Sequence, residues 1–219
     1  PAMTFGKTAD VADGSTIDLG AVSGIGANTN WISGTFSDTG VMYVLESGGS
    51  TSLRAINVQN RTSTLITLSS TVFASDMAWA GGLIYTVQSG GQLRSINPSN
   101  GQVTNIGPAS VAGTYGAMFG APNALFANEN NGGFYSFDLA TGARNLISDS
   151  PGATVNDGAN CPAAPITFNA DLSVTKTNTP GDGPNDLPTD TYLPGETRTY
   201  SIVVTNNGPF GAQNITVND

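Results

Sequence analysis

The sequence predicts an all-β protein, and three observations carry that prediction. Gly, Ser, Thr and Asn are abundant in a 219-residue chain of which only 11% is charged. Thr favours strands, while Gly and Asn favour tight turns. No segment keeps a sustained 3.6-residue apolar period, so amphipathic helices are not expected. Short apolar runs bounded by turn signals instead recur at intervals near 41 residues, which is the mark of an internal repeat.

Several positions keep the period independently. Tyr43, Tyr85 and Phe126 stand 42 and 41 residues apart, and Leu53, Leu93 and Phe134 stand 40 and 41 apart. Asn57, Asn97 and Asp138 repeat at the same 40 and 41, and Phe36, Trp79 and Phe119 close a preceding apolar stretch at similar intervals. In the middle unit, strand a covers 75–80, strand b 83–88, strand c 92–97 and strand d 102–106. Gly81-Gly82, Ser89-Gly90-Gly91 and Pro98-Ser99-Asn100-Gly101 supply the turns, where Gly permits positive φ and Pro presets a turn φ. Four antiparallel strands in roughly 40 residues make one blade of a β-propeller. The expectation is a β-propeller-like repeat domain over 1–167, with three full four-stranded units and partial ones at both ends.

The partial units follow from the same frame. Residues 10–14 and 17–20 overlay on 97–101 and on the end of strand d, so the chain begins at the c and d strands of a blade. Leu146-Ile147-Ser148 finishes a d strand. Asn156-Asp157-Gly158-Ala159 falls where Ser75-Asp76-Met77-Ala78 fell, and it predicts the first strand of a further blade. A ring left this way has open strand edges, and unpaired backbone groups recruit partners. Other copies of the chain, or missing segments of it, are the expected partners.

Charge and residue types exclude several functions. Sixteen Asp and Glu against seven Lys and Arg give a net charge of −9, so phosphate backbones and anionic lipid would be repelled. No nucleic acid is expected. Histidine is absent, which removes Ser-His-Asp and Cys-His activation and the commonest transition-metal ligand. Cys161 is the one cysteine, so no internal disulfide can form, and a small buried hydrophobe is its expected role. No apolar run approaches the roughly 18 residues that span a bilayer.

Beyond Cys161-Pro162-Ala163-Ala164-Pro165 the pattern changes. ADLSVTKT, PGETRTYSIVVTNNGP and AQNITVND resemble the opening of an immunoglobulin-like repeat of bacterial surface proteins, catalogued as domain of unknown function eleven. The resemblance covers about 170–219 and implies a partial immunoglobulin-like β-sandwich over 168–219. Tyr200, Ile202 and Val204 would face its core, Asn207-Gly208-Pro209 would turn the chain, and Asn214 to Val217 would form a further strand. The repeat region, with LRSINPSNGQVTNIGPAS, YGAMF and NDGANCP, is similar to propeller-like domains that precede such repeats in exported bacterial proteins. That resemblance implies an extracellular or cell-surface location. It also implies a disulfide between Cys161 and a segment absent from this sequence, the other reading being a free thiol.

Within a meander the b–c turns and d–a connections share one face, where propellers bind ligands. Glu46, Gln88 and Glu129, each three residues beyond an aligned aromatic, are expected there with Trp31, Asp76, Tyr115 and Asp157. These residues predict a glycan or protein ligand in a non-enzymatic structural or adhesion protein. Paired carboxylates could alternatively cleave glycosides, one as acid and one as base or nucleophile. Asp182, Asn185, Asp186 and Asp190 gather hard oxygen donors around Gly183, the donor set that calcium takes. Calcium is the one cofactor the sequence suggests.

Overall fold

The computed structural model describes residues 4–10, 15–26, 29–122, 124–168, 170–178, 195, 200–208, 212 and 215–219. Every regular element among them is a β-strand. The chain divides into two compact units, Pro1–Ile166 and Thr167–Asp219.

The first unit opens with an antiparallel hairpin of β1 (Thr4–Asp10) and β2 (Ser15–Ala21). Three four-stranded antiparallel meanders follow. The first holds β3 (Trp31–Phe36), β4 (Val41–Glu46), β5 (Ser50–Asn57) and β6 (Thr62–Val72). The second holds β7 (Ala78–Ala80), β8 (Leu83–Val87), β9 (Leu93–Asn97) and β10 (Gln102–Ile106). The third holds β11 (Tyr115–Ala121), β12 (Ala124–Glu129), β13 (Phe134–Phe137) and β14 (Arg144–Ser148). The first strand of the middle sheet, β7, touches both β3 and β11, and β6 touches β10. The sheets therefore stand face to face as blades.

One register runs through all three blades. Leu45 faces Leu53, Val87 faces Leu93 and Asn128 faces Phe134 across the b–c pairs. Tyr43, Tyr85 and Phe126 lie opposite Thr35, Ala78 and Phe119. The aromatic series of the a strands is therefore corrected by one residue in the third blade. Phe36 and Trp79 are matched by Gly120, not by Phe119. In a strand one residue reverses the face, so Phe119 points to the side opposite Trp79.

The repeated Asn and Asp have a local cause. Asn57 Oδ1 accepts from the Gln59 and Asn60 amides, Asn97 Oδ1 from Ser99, and Asp138 Oδ1 from Ala140 and Thr141. Each closes the c–d turn as an Asx turn. Those amides also hold the exposed Asp138 carboxyl below its usual pKa, Thr141 more than Ala140.

Two seams of apolar side chains join the blades. Met77, Trp79, Ile84 and Ile96 of the second blade pack under Leu45, Leu53 and Leu68 of the first, with Tyr43 against them. Tyr43 stacks on Trp79 with centroids 5.7 Å apart and rings 2° from parallel. The Trp79 amide donates to Thr35 Oγ1 at 3.0 Å across the same seam. Met118, Leu125, Ala127 and Phe137 of the third blade pack with Ala78, Tyr85, Val87 and Leu93 of the second. Here the chains come so close that a β-carbon on Gly120 would run into the Trp79 carbonyl. Each buried large side chain contributes about 1.5–3 kcal/mol, so the seams hold the unit together.

Four expectations need correction. Strand a of the middle blade begins at Ala78 rather than at 75, because side chains bind the backbone groups that a ladder would use. Asp76 Oδ1 takes the Met77 amide and Thr86 Oγ1 donates to the Asp76 carbonyl. Residues 156–159 form no strand; Gly158 lies against Phe119, where a β-carbon would strike the ring, and Asn160 Nδ2 donates to the Gly120 carbonyl at 2.6 Å. Cys161 is exposed, not buried, since it sits on this irregular segment with its carbonyl engaged by Ala164 N. In the second unit, residues 215–219 form no ladder, and Ile215 and Val217 stand exposed.

That second unit contains β15 (Leu172–Asn178) and β16 (Tyr200–Asn206), paired antiparallel with Val174 opposite Val204. Tyr200 and Ile202 are exposed. Lys176 pairs with Asp219 at 2.5 Å and lies 4.4 Å from the Tyr200 ring centroid.

Candidate functional site

A cavity of about 370 Å³ is lined by β3 and β4 of the first blade together with residues of the second and third blades and of the segment 157–162. Ile32, Gly34 and Phe36 of β3 and Met42 and Val44 of β4 form its floor. Met77 and Met118 close one end, and Asp157 to Asn160 with Pro162 run along its rim. A bulge between Trp31 and Ser33 leaves Ile32 without a cross-strand partner and turns it outward, half-exposed at 51%. Ser33 also lines the cavity, and its buried hydroxyl has no hydrogen-bond partner among the described residues. The volume suits a small molecule or a few side chains of a longer ligand.

Of the residues the sequence marked, Trp31 and Asp157 border this cavity. Glu46 lies opposite Trp31 in the β3–β4 ladder, and Glu129 lies opposite Tyr115 in the β11–β12 ladder. Gln88, Glu129 and Tyr115 are committed elsewhere. Gln88 accepts from the Phe73 amide and donates to the Phe73 carbonyl, at 3.1 and 2.9 Å. Glu129 accepts from Asn131 at 3.0 Å and stands 4.0 Å from Arg144. Arg144 in turn donates to the Tyr115 hydroxyl at 2.6 Å and lies over the Tyr135 ring at 4.3 Å. Burial raises the Tyr115 pKa, and Arg144 opposes that rise.

Asp76 is the most constrained. It is 3% exposed, with Oδ1 on the Met77 amide at 2.7 Å and Oδ2 on the Met118 amide at 2.6 Å. Burial pushes its pKa up to about 7, against the pull of the Met118 and Met77 amides and with a smaller push from Asp157. Each oxygen takes a backbone amide and the residue is buried, so the carboxyl joins two blades and is closed off from a ligand.

Sequence reasoning missed the methionines of the cavity. Met77 and Met118 occupy one position of the repeat and stand 41 residues apart, so the period itself carried that signal. Arg144 was missed for want of any; a lone cation on a strand resembles every other solvated charge. Asp182, Asn185, Asp186 and Asp190 lie outside the described residues. Among the described residues no group of three or more acidic or thiol side chains could hold a metal. No described helix is long and apolar enough to cross a membrane.

No curated protein matches the chain. Among solved structures it is similar to PorZ, an essential surface component of the type-IX secretion system of Porphyromonas gingivalis, at 16% identity and a TM-score of 0.43. That likeness covers 70% of this chain and 19% of PorZ, so the chain spans about a fifth of that protein. It is similar also to the computationally designed Ika4 protein at 17% identity, TM-score 0.41, over 63% of this chain and 82% of that one. BamB from Moraxella catarrhalis is similar at 17% identity, TM-score 0.37, over 58% of this chain and 38% of BamB. A family model for a repeat of unknown function, DUF6923, matches residues 11–163, a stretch that takes in all three four-stranded blades. The chain belongs to this family of repeats.

Proposed function

We propose that this is a non-enzymatic, exported bacterial surface or extracellular structural protein. Its blades would present a binding face for a glycan or protein, beside an immunoglobulin-like unit at 168–219. The observation that supports this reading is the use made of the acidic side chains. Asp76 has both oxygens on backbone amides, and Glu129 is engaged by Asn131 and Arg144. A glycoside-cleaving pair needs two carboxyls facing one open space at a fixed separation. These two are joined to the scaffold instead. Calcium at Asp182, Asn185, Asp186 and Asp190, and a disulfide from Cys161 to another segment, belong to the same proposal.

The test combines turnover, binding and location. The chain is incubated with a panel of glycosides and applied to a glycan array, with Glu46→Gln and Asp76→Asn beside it. Binding without turnover is the expected result. Hydrolysis that disappears in either variant would replace this reading with a carbohydrate-active enzyme. Protease treatment of intact producing cells should remove the protein; full protection would refute surface exposure.

A further inference from the structure

The three blades share one register, so each side of the first blade can be compared with its equivalents. Phe36 holds the position of Trp79, and Met42 that of Ile84. On the second blade that face is covered by the b and c strands of the blade before it, through Tyr43, Leu45 and Leu53. On the third it is covered in the same way by Tyr85, Val87 and Leu93.

Among the described side chains, the first blade keeps the outermost part of this cover. Val22 sits on Val44 and Ile56, as Leu68 sits in the next seam. Ser23 N donates to the Arg61 carbonyl at 2.8 Å, as Ser69 N donates to Gly101 at 2.9 Å. The d-strand contact is therefore in place. Among the described side chains, none takes the part of Tyr43 and Leu45 against Phe36 and Met42, and the cavity these two line also touches Asp157, Asn160 and Pro162. The exposures agree: Phe36 is 42% exposed while Trp79, its equivalent, is 9% exposed.

We propose that this groove accepts an extended peptide strand bearing an aromatic residue and, two positions on, an aliphatic one. The strand docks on Phe36 and Met42 as Tyr43 and Leu45 dock on Trp79 and Ile84. Three points choose a strand over a compact apolar molecule. The groove is continuous with the interface that Val22 and Ser23 already make. Its floor repeats the period of two β-strands, so alternate side chains of a third strand would enter it. One full copy of the interaction stands in the second blade, and the third repeats it with Gly120 in the aromatic's place. This proposal is independent of the surface-protein reading, since it concerns only how the first blade is covered.

The probe is the peptide VMYVLE, the sequence of Val41–Glu46, with a lysine tail for solubility, titrated into the full 219-residue chain. Calorimetry and the fluorescence of Trp31, which borders the groove, report binding. Saturable binding with a changed Trp31 spectrum is expected, roughly tenfold or more weaker with Ile32→Asp or Phe36→Asp. Both positions are exposed, so these variants should keep the wild-type circular dichroism. A peptide with Ser in place of its Tyr and Leu should not bind. Equal binding of the two peptides, or undiminished binding by both variants, overturns the proposal. So does self-association of the unmixed chain that the same substitutions abolish, because the occupant would then be a second copy.

Discussion

Arg61 holds at φ 55° the turn position that Gly101 and Gly142 hold at 76° and 73°. It is the one non-glycine residue of positive φ among the described residues. All three end the c–d turn that begins at Asn57, Asn97 or Asp138. The two glycines are fixed by more than φ. A β-carbon on Gly101 would strike the Thr67 carbonyl, and one on Gly142 the Ile106 carbonyl. Arg61 instead carries its guanidinium to the Leu19 carbonyl at 2.7 Å.

Substitution at these positions should therefore differ in size. Gly101→Ala and Gly142→Ala are expected to destabilise by about 2 kcal/mol or more, since φ and contact both oppose a side chain. Arg61→Gly relieves about 1 kcal/mol of left-handed strain and loses one hydrogen bond of similar worth. Its urea midpoint should barely move, while amide exchange in β2 speeds up. A loss in Arg61→Gly as large as those at the two glycines would show that the Arg61 side chain holds its turn by more than one hydrogen bond.

A second expectation concerns the position shared by Phe36, Trp79 and Gly120. Trp79 lies in a seam under Tyr43, so Trp79→Ala should cost about 3–5 kcal/mol. Phe36→Ala, at an exposed site, should cost less than about 1 kcal/mol. Gly120→Ala should be among the most damaging single changes, because the Trp79 backbone cannot retreat without opening the seam. Urea unfolding of the three variants ranks them. A Phe36→Ala loss equal to that of Trp79→Ala would show that the first blade's outer face is covered after all.

Much of this was legible from the period alone. Turn residues and alternating apolar runs fix where a strand stops, and the Asx turns at Asn57, Asn97 and Asp138 make that signal local. The register of β11 was not legible. Phe119 beside Gly120 looks like the aromatic of the other blades, and only the close approach to Trp79 explains why glycine holds its place. Nor could sequence show that Asp76 reaches Met118. That hydrogen bond crosses 42 residues, and an Asp in a loop ordinarily binds its own neighbours. Residues 156–159 misled for a related reason. Their composition matches a first strand, yet a strand also needs a neighbouring edge.

The Asp76 carboxyl gives a pH dependence with a definite sign. Its folded pKa, about 7, lies above the ordinary 3.8, so the folded state holds the proton more tightly. The stability it contributes is full below about pH 4 and is lost as pH rises through about 7. The change is on the order of 4 kcal/mol. Guanidinium unfolding at pH 5 and pH 8 should show the wild type weaker at the higher pH. Asp76→Asn, which cannot ionise, should flatten that difference. A slope that survives in Asp76→Asn would assign it to another group.

The last prediction separates a structural from a catalytic role for Glu129. Glu129 and Tyr115 are buried and Arg144 partly so, and the three form one set: Arg144 donates to the Tyr115 hydroxyl and lies 4.0 Å from Glu129. Removing one partner leaves the others desolvated and uncompensated, whereas removing two removes the reason for the cost. Glu129→Gln and Arg144→Gln should each destabilise by roughly 1–3 kcal/mol. The double variant should lose less than their sum by about 1 kcal/mol. Tyr115→Phe should behave like Arg144→Gln, because the phenol oxygen accepts from that guanidinium. The measurement is a double-mutant cycle by urea unfolding, with glycoside turnover read on the same four proteins. An additive cycle would show that Glu129 and Arg144 act separately. Turnover lost in Glu129→Gln at unchanged stability would move Glu129 from the scaffold to a reacting site.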